Sequence, residues 1–365
     1  MTSTQVGLFM SASAFGYMLT LIPAGWLVDR IGVRWLLLIG EIFGGIFVAS
    51  MFTVTTFAQG LIFMALAGMG MGCLMPSTTK AVLVWFPAKE RATAMGFKQT
   101  AVNVGGIITA VTLPAVALAI GWHYGFLGIG IIAVVIGVVS FILYKQPPQD
   151  INSSTSSEPA NGSRPRPSVR EVFKSREIWL IIGAGMCLNA VEFSAMAYFV
   201  LYLKESLFIA VVTAGFLLAF LETGGVFGKP ISGFISDRIF HGRRKKVFIV
   251  LCVIAFAMGM ILFVLPQGTP SWLIIPISLV FGFGAIGWGG LNLTLIGEFA
   301  GRELAGTVTG MAVVFLMLAN MAGPPIFGYI VDSTGSYRMA WLFLAILAAL
   351  AAVFLLFVRE EKRRL

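Results

Sequence analysis

The sequence predicts an all-α membrane protein made of two pseudo-symmetric helical bundles. Hydrophobic residues make up 58% of the 365-residue chain and charged residues only 11%, against about 25% charged residues in a typical soluble domain. The apolar residues form continuous runs of about 20 residues, the length that a helix needs to cross a bilayer. Because barrel strands would alternate apolar and polar residues over about 10 positions, these runs indicate helices.

Eleven apolar runs are predicted to span the membrane. In chain order they are 5–27, 36–57, 60–84, 93–119, 124–144, 178–203, 209–235, 247–265, 272–297, 304–331 and 338–358. A polar, proline-rich segment follows the fifth run and contains too few apolar residues to pack into a core. The chain therefore divides into an N-terminal bundle (1–144), a linker (145–176) and a C-terminal bundle (177–365), with a short amphipathic helix predicted at 170–176.

The distribution of lysine and arginine predicts the orientation of these helices. The loops after the first, third, fifth, seventh and ninth runs and the C-terminal tail carry the basic residues, whereas the opposite loops carry only Lys204 and Arg338. Because cytoplasmic loops are enriched in basic residues, the linker and the C-terminus are predicted to be cytoplasmic in an inner (plasma) membrane. The net charge of +9 then reflects contact with the lipid bilayer, and no nucleic-acid partner is expected.

A charged turn occurs twice, 208 residues apart, each time between two apolar runs. Its residues are Gly25, Asp29, Arg30, Gly32 and Arg34 in the first copy and Gly233, Asp237 and Arg238 in the second. A glycine pair in the third run, Gly68 and Gly70, recurs as Gly282 and Gly284 at an offset of 214. Together these repeats indicate two parallel halves.

With these turns the chain resembles the major facilitator superfamily, whose loop between helices 2 and 3 carries this pattern. The resemblance implies a monomeric transporter that moves a small-molecule substrate by alternating access. It also implies that the turn residues form a conformational latch on the inner side; the alternative is that they only anchor the loops. Because the family has twelve helices with both ends inside, a first helix is expected to be missing before Met1, with a true eleven-helix protein as the alternative.

Polar residues at lipid depth are costly, so they are the first places to expect a function. Lys98 lies about 9 Å along its helix from the inner end, and Gln99 and Asn103 lie on roughly the same face. We predict that Lys98 binds an anionic substrate and that Gln99 and Asn103 donate or accept hydrogen bonds beside it. The alternative is that Lys98 extends to the inner interface. The segment 86–99 resembles organic-anion permeases of the superfamily, which favours binding.

Two carboxylates lie deeper in the apolar runs. Glu192 is about 21 Å into its helix, with Asn189 one turn earlier. Because removal from water favours the protonated form of a carboxyl group, Glu192 is the first predicted proton-coupling residue and Glu222 the second. The alternative for each is a structural pairing between helices. Asn189, Tyr198 and Asn292 complete the predicted set of substrate-binding residues.

No catalytic or phosphate-binding motif occurs, so neither an enzyme nor a cofactor is expected. Three isolated cysteines (Cys73, Cys187 and Cys252) predict no metal site. The sequence predicts secondary transport, as a symporter, of a small organic anion with protons. One alternative is efflux of amphipathic drugs, which an aromatic cavity would favour. The other is a non-transporting membrane sensor or a truncated remnant.

Overall fold

The computed structural model of the chain describes residues 2–86, 91–145, 173–240, 243–300 and 304–359. The helices are α1 (Ser3–Ser50), α2 (Phe57–Trp85), α3 (Arg91–Ala119), α4 (Trp122–Leu143), α5 (Arg176–Ser206), α6 (Val211–Phe234), α7 (Arg244–Val264), α8 (Ser271–Ile286), α9 (Gly289–Ala300), α10 (Ala305–Thr334) and α11 (Tyr337–Phe357). A 3-10 helix (Met51–Thr53) follows α1, and a π-helical segment (Ile235–Ile239) extends α6. The described part of the chain contains no strand, which confirms the all-α prediction.

Most of the predicted linker, 146–172, lies outside the described residues, as do the tail at 360–365 and the loop residues 87–90. The predicted amphipathic helix at 170–176 is wrong in its described part. Phe173 and Lys174 form a turn there, and α5 begins only at Arg176.

Ten helical stretches among the described residues are long and apolar enough to cross a membrane. The first, Ser3–Thr53, has 51 residues, whereas about 20 suffice for one crossing. It therefore has the length for two crossings, which is consistent with eleven in all.

The first two predicted helices are joined differently from the prediction. The sequence predicts a turn between runs 5–27 and 36–57, but α1 continues through the charged residues and is interrupted only at Gly32. Gly32 has φ 84° and ψ 165°, a conformation that glycine adopts readily because it has no Cβ. Arginine and aspartate side chains at a membrane surface do not by themselves break helical hydrogen bonding, so the glycine alone marks the change of direction.

The predicted ninth helix, 272–297, is two helices. α8 ends at Ile286 and α9 begins at Gly289, with Gly287 and Trp288 forming a turn between them. The interruption lies at the indole that contacts Glu192 in the site described below.

The chain forms two compact units. The C-terminal unit comprises Met1–Leu8, Val102–Pro114 and Arg166–Leu365, and the N-terminal unit comprises Phe9–Ala101 and Ala115–Pro165. The helix α3 thus gives its middle turns to the C-terminal unit and both its ends to the N-terminal unit. The sequence-based division into two bundles and a linker stays a prediction.

The C-terminal unit has a core built around Trp341. Within this unit α6 packs along α8, α7 along α11, and α5 against α10 and α11. The ring of Trp341 is fully buried and meets the rings of Phe199, Tyr202 and Phe281 edge-on. Such edge contacts add about 0.5–1.5 kcal/mol per pair beyond burial, so this core holds α5, α8 and α11 in fixed positions.

In the N-terminal unit, two glycines let α1 and α2 approach each other closely. A Cβ atom at Gly16 would overlap the backbone oxygen of Ala65, and a Cβ atom at Gly68 would overlap the backbone oxygen of Ser13. Small residues allow membrane helices to pack at such short range.

The C-terminal unit repeats both contacts between α6 and α8. Gly224 lies against the backbone oxygen of Leu279, and Gly282 lies against that of Leu221. Equivalent residues of α1 and α6 are 208 positions apart, and equivalent residues of α2 and α8 are 214 positions apart. The internal repeat therefore specifies the same helix packing twice.

Candidate functional site

Glu192 on α5 accepts a hydrogen bond from the indole of Trp288. The distance from Trp288 Nε1 to Glu192 Oε2 is 3.0 Å, and Trp288 is only 2% exposed. Phe248 on α7 stacks on the indole with ring centroids 6.3 Å apart. Because Trp288 lies in the turn between α8 and α9, the interruption of the predicted ninth helix is what brings its N–H to the carboxylate.

Asn103 on α3 joins two charged residues of α6. Its amide nitrogen donates to Glu222 Oε2 at 2.7 Å, and its amide oxygen accepts from Lys229 Nζ at 2.6 Å. Glu222 and Lys229 are seven residues apart, two helical turns, so they share one face of α6. A Cβ atom at Gly106, one turn beyond Asn103, would lie 2.8 Å from the Glu222 carboxyl carbon, so the glycine makes room for this carboxylate.

These contacts form one group, which we call the carboxylate cluster: Glu192, Glu222, Asn103, Lys229 and Trp288. Gly228, next to Lys229, packs against the backbone of Gly287, next to Trp288, so the two sets of contacts lie together. The cluster therefore contains one lysine and two carboxylates. Glu222 and Asn103 are 5% and 2% exposed, so most of the group is shielded from water. Charges interact more strongly in such a shielded environment than in water.

Two amide oxygens near the carboxylate cluster have no hydrogen-bond donor among the described residues. They belong to Asn189, one turn before Glu192 on α5, and to Asn292 on α9, and both are buried. The amide nitrogen of Asn292 donates to the backbone oxygen of Ile181 at 3.0 Å. Buried acceptors normally have a partner, so both oxygens are available to a hydroxyl or amine donor.

Tyr198, also a predicted substrate-binding residue, makes other contacts. Its hydroxyl donates to the backbone oxygen of Ser3 at 2.6 Å, and its ring stacks on Phe327. The neighbouring Asp332 accepts hydrogen bonds from the backbone nitrogens of Ser3 and Thr4 at 2.8 and 2.7 Å. The structure thus uses Tyr198 and Asp332 to hold the first turn of α1.

The predicted group Lys98, Gln99 and Asn103 does not share partners. Lys98 Nζ donates to Thr79 Oγ1 at 2.6 Å and to the Met75 backbone oxygen at 3.3 Å, both on α2 in the N-terminal unit. Gln99 is exposed. Asn103 alone of the three joins the carboxylate cluster.

The first charged turn is held to helices of its own unit. Asp29 pairs with Lys80 on α2 at 2.7 Å, and Lys80 also donates to the backbone oxygen of Val28 at 2.9 Å. Arg34 donates to the backbone oxygen of Phe141 on α4 and lies over its ring. The guanidinium of Arg30 lies over the ring of Trp26, 3.7 Å from the centroid. Gly25 has open space around its missing Cβ.

The second turn has a similar acid with different partners. Asp237 pairs with Arg244 on α7 at 3.1 Å, and Arg244 reaches Glu298 on α9 at 2.7 Å. Arg238 is exposed, and Gly233 has open space around it. The latch role of both turns stays a prediction.

The family model described as "Major Facilitator Superfamily" matches residues 1–324. The chain belongs to the major facilitator superfamily. The chain is 25% identical over 391 residues to the probable galactarate/D-glucarate transporter GudP of Bacillus subtilis, covering 99% of this chain and 85% of that protein. It is also 25% identical over 379 residues to the probable sulfoacetate transporter SauU of Cupriavidus necator, covering 98% of this chain and 86% of that protein.

A crystal structure of a D-xylose-proton symporter has the same fold. It superposes with a TM-score of 0.77 at 16% identity, covering 99% of this chain and 89% of that one. The family assignment and these relatives confirm that this major facilitator protein is a multi-pass membrane transporter and not an enzyme.

Three contacts of this major facilitator protein were not predicted from the sequence. Lys80 binds Asp29, and Lys229 binds Asn103. The indole of Trp288 donates to Glu192. The spacing of seven residues between Glu222 and Lys229 was a usable signal, because it puts opposite charges on one helix face.

Proposed function

We propose that this protein moves a small organic anion, of the carboxylate class, together with protons by alternating access. The observation that carries the proposal is the carboxylate cluster. A lysine and two carboxylates lie together within membrane-spanning helices. Charged groups at that depth cost free energy, so their presence there indicates a function. The lysine offers a site for an anion, and the carboxylates offer sites for a proton.

The relatives support the same substrate class. GudP is named for galactarate and D-glucarate, and SauU for sulfoacetate. The first two are six-carbon polyhydroxy diacids, and the third is a two-carbon sulfonate with one carboxylate. These compounds share little except negative charge and a carboxylate, so the common requirement is a cation in the site.

Glu192 is the proposed proton carrier, with Glu222 as the second candidate. Its carboxylate has one neutral donor, Trp288 Nε1, and no direct ion pair among the described residues. Glu222 also has a neutral donor, the amide of Asn103, but that amide in turn accepts from Lys229. Protonation of Glu192 therefore leaves the hydrogen bonds of Lys229 unchanged, whereas protonation of Glu222 removes the charge nearest to them.

Asn189 and Asn292 are proposed to accept hydrogen bonds from substrate hydroxyls, because their amide oxygens have no donor. Lys98, Gln99 and Tyr198 stay predicted substrate-binding residues. We further propose that the basic loops, the linker and the C-terminus face the cytoplasm across the inner membrane and that the protein acts as a monomer.

No observation favours drug efflux or a sensor. The efflux alternative depends on Tyr198, Trp288 and Phe193. The first two are bound by hydrogen bonds within the protein, to Ser3 and Glu192, and Phe193 is partly exposed.

The test is uptake by purified protein in liposomes with an acidic exterior. Radiolabelled galactarate, D-glucarate and sulfoacetate are supplied in turn, and the neutral polyol D-glucitol is the matched control for D-glucarate. We expect accumulation of at least one anion, no uptake of D-glucitol, and loss of accumulation when a protonophore collapses the gradient.

Two results would overturn the proposal. One is transport of none of the anions by correctly folded protein. The other is transport of a lipophilic cation such as tetraphenylphosphonium in their place, which would support the efflux alternative. Accumulation that survives the protonophore would remove proton coupling and leave anion transport standing.

A further inference from the structure

We infer that Lys229 on α6 binds the carboxylate of the substrate and that the amide oxygen of Asn103 occupies this position in the substrate-free protein. The inference rests on the proposed function and names the residue that recognises the substrate's charge. It differs from the prediction from sequence, in which Lys98 has that role.

The hydrogen-bond partner of Lys229 is unusual for a lysine beside two carboxylates. Its Nζ donates to the neutral oxygen of Asn103 at 2.6 Å, and none of the ion pairs among the described residues includes it. Charged residues within membrane-spanning helices usually pair directly with an opposite charge. Lys229 instead reaches a carboxylate only indirectly, through Asn103 to Glu222.

A carboxylate competes well for this position. The bond from the lysine to the amide oxygen is charge-assisted by its donor alone, whereas a carboxylate adds a negative charge that attracts the ammonium directly. When a ligand carboxylate replaces Asn103 Oδ1, the amide nitrogen of Asn103 keeps its bond to Glu222. The exchange leaves no buried donor without a partner, and the amide oxygen of Asn103 becomes an acceptor for a substrate hydroxyl.

The internal repeat shows that the fold itself does not need these charges. The offset of 208 that relates α1 to α6 puts Ala14 and Leu21 at the positions of Glu222 and Lys229. The offset of 214 also relates α3 to α10, where Gly96 matches Gly310, and it puts Met317 at the position of Asn103. Glu222, Lys229 and Asn103 thus all have apolar counterparts in the equivalent helices of the other half.

The same geometry links substrate to proton. A ligand anion at Lys229 adds a negative charge beside Glu192 and Glu222, and uptake of one proton by this group restores the previous charge. Because Asn103 joins Lys229 to Glu222 through two hydrogen bonds, occupancy of one site changes the proton affinity of the other. Binding of anion and of proton are therefore mutually favourable, as linkage requires.

The test compares Lys229→Met, which keeps the length of the side chain and removes its charge, with Lys229→Arg, which keeps the charge. The control is Lys204→Met, at the exposed end of α5. For the panel anion that the wild type accumulates fastest, we expect Lys229→Met to raise KM about 10- to 100-fold, the range for one lost hydrogen bond to a charged group. Lys229→Arg should recover at least part of this loss, and Lys204→Met should have the KM of the wild type.

A binding measurement separates this inference from the proposed function. D-Glucarate, galactarate and sulfoacetate are each added to detergent-solubilised protein, and the rise in melting temperature on binding is recorded for the wild type, Lys229→Met and Lys98→Met. The inference expects stabilisation of the wild type and of Lys98→Met, and a loss of it in Lys229→Met. A wild-type KM and wild-type stabilisation in Lys229→Met would overturn the inference and leave anion transport intact.

Two further outcomes are informative. If Lys229→Met does not fold, the double variant Glu222→Ala/Lys229→Leu installs the residues that the fold accepts in α1. It should fold and show no stabilisation by anions; retained stabilisation would contradict the role of Lys229. A wild-type protein that neither binds nor transports any of the anions would overturn both the inference and the proposed function.

Discussion

Replacing Gly282 by alanine tests the packing that both halves of the chain share. The new Cβ would overlap the backbone oxygen of Leu221 and would lie 2.7 Å from its carbonyl carbon. Because backbone atoms cannot rotate away, α6 and α8 must separate. Overpacking of this kind costs about 1–3 kcal/mol, and a contact with backbone belongs at the upper end. Alanine recovers up to about 1 kcal/mol through its helix propensity, so we expect a net loss of about 1–2 kcal/mol.

The matched control is Gly310→Ala on α10, where nothing lies within 4 Å of the added Cβ. Only the helix-propensity term remains there, so this variant should be unchanged or stabilised by up to about 1 kcal/mol. Thermal unfolding in detergent, followed by size-exclusion chromatography of heated samples, measures the difference. Gly68→Ala should resemble Gly282→Ala, since it meets the backbone of Ser13 in the same way. If Gly282→Ala melts at or above Gly310→Ala, the packing argument is wrong.

Three other substitutions test individual contacts. Glu192→Gln keeps an acceptor for the indole but cannot take up a proton, so it should abolish accumulation driven by a pH gradient and retain downhill movement of the anion; continued accumulation would exclude Glu192 as the carrier. Asp29→Asn removes the ion pair with Lys80. The side chains of Asp29 and Lys80 are 72% and 31% exposed, so the free energy of unfolding should fall by less than about 1 kcal/mol. A larger loss in a melting experiment would show that the pair does not behave as a surface ion pair. Asp332→Asn leaves one acceptor for the two backbone nitrogens of the first turn of α1 and removes a charge from that helix N-terminus, costing about 0.5–2 kcal/mol; hydrogen exchange of the Thr4 amide should accelerate, and unchanged exchange would refute the capping role.

Helix positions were predictable from sequence because lipid demands long apolar runs. The differences arise where one residue decides the backbone. Gly32 interrupts α1 through a positive φ, and neither its charged neighbours nor its hydropathy shows this. Glycines also surround the turn at Trp288, but glycine is common in membrane helices, so sequence alone did not distinguish an interruption from close packing.

The partners of the polar residues were less predictable than their depth. Successive residues of a helix are about 100° apart, so Lys98 and Asn103 differ by about 140° in direction. That angle is wide enough for Lys98 to reach α2 and for Asn103 to reach α6. Lys229 is 126 positions from Asn103 in sequence, and no local pattern connects residues so far apart. Sequence therefore identified Asn103, Glu192 and Glu222 as polar residues at depth, and only the structure identified what they bind.

The two copies of the repeat separate what the fold needs from what has diverged within it. The glycine contacts and the acid of the charged turn occur in both copies. The partner of that acid does not, because Thr294 lies at the position equivalent to Lys80 and Leu36 at the position equivalent to Arg244. Each copy nevertheless supplies a cation to its acid, Lys80 to Asp29 and Arg244 to Asp237. Two different cations at non-equivalent positions thus make the same pairing with the acid of the turn. The charges at 222 and 229 have no such counterpart, as the inference on Lys229 expects of residues that bind the solute rather than hold the fold.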